Sequence, residues 1–109
     1  MIIDFSNIWE ILKQGIAGMA EKDLREYAAA ATSDGYVMVN QMQTDLEGWI
    51  TELAAGSISK SDFADLLAGQ KDELKMELLK QAGLSEILID RFKQDICDLI
   101  TNTVLALIA

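Results

Sequence analysis

This chain contains no histidine, no proline, one cysteine and few aromatic residues, 6% of the total. Each shortage closes off a chemistry or an architecture. Without histidine the usual general base near neutral pH and the commonest transition-metal ligand are missing. A ferritin-like di-iron centre, which takes Glu-x-x-His from inward helix faces, therefore cannot be built in its usual form. Without proline no helix is forced to end from within. Cys97 alone cannot close an internal disulfide, which points to a reducing, cytoplasmic setting. Its apolar neighbours suit a small core hydrophobe better than a nucleophile. No glycine-rich phosphate loop follows a strand. No catalytic residue, cofactor site or metal site is expected, and the chain reads as a non-enzyme.

Positive charge is scarce too. Nine Lys and Arg stand against 18 Asp and Glu, a net charge of -9 over 109 residues. That balance disfavours a direct nucleic-acid partner or an anionic lipid surface. Pairs such as Asp72 with Lys75 and Glu77 with Lys80 have the spacing of ordinary surface pairing along a helix. The N-terminal MIIDFSNIWE has no basic segment ahead of its apolar residues, so no secretory signal is expected. The tetrapeptide Lys71–Leu74, KDEL, is internal and carries no retrieval meaning.

What is abundant is helix-forming apolar sequence: half of the residues are hydrophobic, and Ala, Leu, Lys, Gln and Glu favour helix throughout. Area scaling gives roughly 6,000 Å² for the folded surface against roughly 17,000 Å² unfolded, enough for one modest core. The expected fold is all-α, an antiparallel four-helix bundle or helical-hairpin array in a single domain, 1–109. Its helices are placed at about 7–32, 36–55, 60–82 and 86–108, with no span long and apolar enough for a membrane.

Gly56–Phe63, GSISKSDF, organises this arrangement. Gly56 can end a helix in the left-handed conformation. Ser59 can cap the next helix with Asp62 three residues on, and Ile58 and Phe63 have the spacing of a hydrophobic staple. Gly83, Ser85, Leu84 and Ile89 repeat the pattern. A third reversal is expected at TSDGY, Thr32–Tyr36, from Gly35. The Gly56 stretch also resembles the second half of an EF-hand loop, with Asp62 as the closing carboxylate. Thr51, Leu53 and Ala55 stand where the first ligands belong, and two of them have no side-chain oxygen, so calcium is not expected.

The helical stripes carry the functional expectation. Phe5, Ile8, Leu12, Ile16 and Met19 form one; Asp23 interrupts it, and Ala20, Leu24, Tyr27 and Ala31 continue it on a rotated face. Phe63, Leu67, Leu74 and Leu78 form another, which leaves Met76 and Leu79 on the opposite side. Beyond Ile96 the apolar residues surround the last helix. Met76, Leu79, Ile87, Val104, Leu105, Leu107 and Ile108 together exceed what one small core needs and make up an expected interface. The favoured function is a non-enzymatic protein-interaction or self-assembly module, a homo-oligomer (a dimer by default) or a binder of a protein partner. Two alternatives are an acidic nucleic-acid mimic that blocks a DNA- or RNA-binding protein, warranted by charge alone, and a small-molecule-binding bundle using Gln70, Gln81 and Tyr27.

Overall fold

Asp4 starts the first helix by accepting a hydrogen bond from the Asn7 amide at 3.1 Å. The computed structural model describes residues 3–108; Met1, Ile2 and Ala109, the last residue of the apolar C-terminal run, lie outside the described residues. Five α-helices follow one another: α1 Phe5–Asp23, α2 Ala28–Ala54, α3 Lys60–Glu73, α4 Glu77–Gln81 and α5 Glu86–Ile108, with a single 3-10 turn, Arg25–Tyr27, between the first two. The fold is all-α. No strand occurs among the described residues.

α1 buries Ile8, Leu12, Ile16 and Ala20, a stripe at helical spacing. It lies against α2 and α5, while α3 packs on α5 and α2, and α4 on α2 and α5. α2 and α5 each touch every other helix. The inward face of α5 is Ile89, Phe92, Ile96, Ile100 and Val104, all buried. The molecule is a short rod of 43 × 24 × 19 Å. Its surface of 6283 Å² is close to the roughly 6,000 Å² that scaling gives for a closed monomer of this mass.

The expected ends at Gly56 and Gly83 are present. Both glycines have positive φ, 78° and 93°. At each, two crossed backbone bonds close the helix: Ser57 N–H to the Glu52 carbonyl and Gly56 N–H to that of Leu53, then Leu84 N–H to Leu79 and Gly83 N–H to Lys80. This is the Schellman arrangement, which only a residue tolerant of the left-handed region makes without strain. Ser59 and Asp62 form the reciprocal capping box, each bond 3.0 Å long. Ser85 caps α5 through the Leu88 amide.

Two expected features are corrected. The reversal at Thr32–Tyr36 does not exist: α2 runs straight through it, and the chain turns earlier, at Leu24. Gly35 serves packing instead. A methyl group there would lie 2.5 Å from Ile16 Cγ2, so the missing side chain lets α1 come down onto α2. That contact offsets the cost of about 1 kcal/mol for glycine inside a helix. The helix expected at 60–82 is divided between α3 and α4 by Leu74–Met76. The division rotates the following turn, so Met76 and Leu79 point into the core and Leu78 stands 43% exposed.

The division is held from outside the segment. Met76, the residue before α4, has no side chain able to cap it. Asp34 of α2 does this instead, accepting from the Leu79 amide at 2.8 Å and the Leu78 amide at 3.3 Å. Lys93 of α5 donates to the Leu74 carbonyl. Asp34 and Lys93 are both buried, and burial of a charged group requires such partners.

Candidate functional site

A concavity with an apolar floor lies where α1 ends and α5 begins. Burial of Ala20 on α1 and Ala31 on α2 pulls the chain inward on either side of the Leu24 turn. The side chains of that turn then face the first turns of α5. Leu24, Leu88 and Phe92 form the floor of a cleft of about 500 Å³. Leu84 and Tyr27 line an adjoining lobe of about 320 Å³. Phe92 is buried, Leu24 and Tyr27 are half-buried against the core, and Leu88 is 38% exposed. The cleft therefore offers an apolar floor continuous with the protein interior.

Its rim is charged. Lys22, Arg25 and Arg91 stand around it with Asp23, Glu26 and Asp95. Arg25 and Arg91 are the only arginines in the chain. Burial raises the pKa of the Asp95 carboxyl above the ordinary value, and the nearby negative charges of Asp23 and Asp98 add to that; Arg91 opposes them. Ionised Asp95 therefore gains from a cation beside it, and Arg91 already supplies one.

Other polar groups of the interior are committed to the fold. Asp34 and Lys93 are engaged by backbone, as described. Cys97 is buried, and loss of solvent pushes its thiol up to about 11, the Lys71 charge opposing only in part. At neutral pH it is a protonated, unreactive thiol. No group of three or more acidic, cysteine or histidine side chains converges in metal-binding geometry among the described residues.

The seven residues expected to form an interface are dispersed. Met76, Leu79 and Val104 belong to the chain's own core, at 3%, 0% and 0% exposure, and are corrected from surface to interior. For Met76 and Leu79 the cause is the rotation at Leu74–Met76. Val104 lies four residues beyond Ile100 and eight beyond Ile96, so it continues the inward stripe of α5. Leu105 and Ile108 are half-buried, Ile108 against the core. Ile87 and Leu107 are 75% and 44% exposed. They sit at opposite ends of α5, about 30 Å apart at 1.5 Å per residue, and cannot share one patch. Of the polar residues considered for an interior ligand, Gln81 is exposed and Gln70 half-buried, while Tyr27 lines the lobe of the cleft.

The cleft residues Leu24, Arg25, Leu88 and Arg91 were not expected as a site. The scarcity of arginine was the available signal, since arginine is over-represented where carboxylates are recognised. Nothing in the linear order indicates that the two arginines flank adjoining parts of one depression. No family model matches this chain, and neither a curated protein nor a solved structure shows significant similarity to it.

Proposed function

We propose that this protein is a non-enzymatic interaction module and that the cleft between the Leu24 turn and α5 receives a segment of a protein partner. One observation carries the reading. Both arginines of a strongly acidic chain, separate in sequence, flank adjoining parts of one depression, Arg91 at the cleft and Arg25 at its lobe, and Leu24 and Leu88 line both parts. Arginine and aromatic side chains beside a desolvated pocket are the types that dominate binding energy at protein interfaces. The occupant this chemistry fits is an amphipathic segment. It places an apolar side chain on the Leu88 floor and a carboxylate within reach of Arg25 or Arg91, each able to bind it bidentately.

Self-association is less favoured at this site. Two copies carry -9 each, and two concave surfaces do not fill one another. The surface area, near that of a closed monomer of this mass, supports the same preference.

Selection of binding peptides from a displayed library, followed by NMR shift mapping on the full chain, tests the proposal. The expected footprint covers Leu24–Tyr27 and Leu84–Asp95, and acidic residues should be enriched in the selected sequences. Leu88→Glu should abolish binding with the helical spectrum unchanged, and Arg91→Ala should weaken it at least tenfold. Binders that map to another face, or whose affinity ignores both substitutions, would sink the proposal. Sedimentation at rising concentration checks the self-assembly alternative, for which a dimer that Leu88→Glu leaves intact would speak.

A further inference from the structure

The segment Gln70–Gln81 holds two incompatible apolar patterns. Extended as one helix from Lys60, it aligns Leu74 and Leu78 with Phe63 and Leu67 at steps of four and seven residues, and turns Met76 and Leu79 outward. As folded, Met76 and Leu79 are buried, Leu74 is half-buried and Leu78 is exposed. The sequence QKDELKMELLKQ contains no glycine, no proline and no residue at Met76 that caps a helix. Local propensity favours continuous helix through it. The interruption exists because Asp34 holds the Leu78 and Leu79 amides and Lys93 holds the Leu74 carbonyl.

A partner surface for the alternative is already present. α5 has 23 residues. A continuous helix from Lys60 to Gln81 would be about 33 Å long, nearly the length of α5 at about 35 Å, so the two could form an antiparallel hairpin of matched arms across the Gly83 turn.

We propose that Leu74–Met76 is a two-state hinge: latched by Asp34 and Lys93 it divides α3 from α4 and buries Met76 and Leu79, and unlatched it becomes one helix that brings Met76 and Leu79 to the surface. The device is a population balance between two packings of one segment, biased by two buried side chains on two other helices. It shares no residue with the cleft and does not depend on it.

Two measurements on the full chain decide. In Asp34→Ala, the carbon chemical shifts of Leu74, Lys75 and Met76 should move to helical values. In a Cys97→Ala background a Met76→Cys probe should be alkylated at least tenfold faster when Asp34→Ala is added. Shifts that stay non-helical, with the probe still protected, would overturn the hinge. If Asp34→Ala unfolds the chain, native-state hydrogen exchange of the unmodified protein tests the hinge instead. The Leu78 and Leu79 amides should exchange at least tenfold faster than those of Ile96 and Ile100, through an opening that exposes less surface than global unfolding. Exchange of all four at one common rate would mean there is no separate open state.

Discussion

The turn at Gly56–Ser59 and the interruption at Leu74–Met76 each separate two helices, and they are made in opposite ways. The first is assembled from its own neighbours: Gly56 closes α2, and Ser59 and Asp62 open α3, through bonds spanning a few residues. The second has no local device. Its cap comes from Asp34, 44 and 45 residues away, and its other anchor from Lys93, 19 residues away. A local turn survives loss of the surrounding fold as a preference. A turn made by distant groups disappears with them.

The largest test of this contrast is Leu79→Glu. Leu79 has no solvent exposure, and the Leu74–Met76 interruption is what places it inside. An unpaired charge there should cost on the order of 4 kcal/mol or more in the latched packing and depopulate it, whereas Leu67→Glu should unfold the chain. Circular dichroism with urea titration reads it. A Leu79→Glu protein with the urea midpoint of the unmodified chain would overturn the buried placement of Leu79.

Next in size is the pair Asp34→Ala and Ser59→Ala. Removing Asp34 leaves the buried Leu79 amide and the part-buried Leu78 amide without that partner, at about 1–3 kcal/mol for the buried one. Removing the Ser59 hydroxyl leaves an exposed amide to water and should cost about 1 kcal/mol. Urea midpoints should fall in that order; a larger fall for Ser59→Ala would reverse the assignment of local and distant control.

A smaller contrast compares two glycines of α2. Gly35→Ala drives a methyl group to 2.5 Å from Ile16 Cγ2, whereas at Gly48 nothing lies within 4 Å. Overpacking at Gly35 should outweigh the gain in helix propensity and lower stability by about 1 kcal/mol, while Gly48→Ala should raise it by about 0.5–1 kcal/mol. Thermal midpoints moving in the same direction would show that the α1–α2 contact yields more easily than its geometry suggests.

The smallest expected effect is a pH dependence at the local turn. The Ser59 amide, and then its hydroxyl, hold the Asp62 carboxyl below the ordinary value of 3.8. A depressed carboxylate pKa contributes stability that is present above the unfolded value and is lost as pH falls through the folded one. Asp62 should therefore titrate below 3.8 in NMR spectra, and Ser59→Ala should return it toward that value. The exposed setting keeps the contribution small.

Legibility in the sequence follows the same division. Gly56, Ser59, Gly83 and Ser85 could be read because the groups that make each helix end lie within one turn of it. The Leu24 turn left a trace as well. The apolar stripe of α1 changes face at Asp23, and that change of phase marks where the helix ends, although Gly35 has the stronger turn chemistry and drew the expected reversal downstream. Gly35 is needed for the space it leaves to Ile16, a fact about another helix. Met76 and Leu79 were legible as an apolar pair, but the side of the chain they face depends on whether the helix is interrupted before them.

The all-α class and two of the three helix reversals were determined by the sequence itself, because propensity, capping and left-handed glycine act over a few residues and need no distant partner. The path of α2 through Gly35, the division of α3 from α4 and the placing of Arg25 and Arg91 on adjoining parts of one depression were decided by the tertiary structure alone. Each depends on which side chains or vacant volumes are brought together by packing, and the strength of such a contact is independent of how far apart its members lie along the chain.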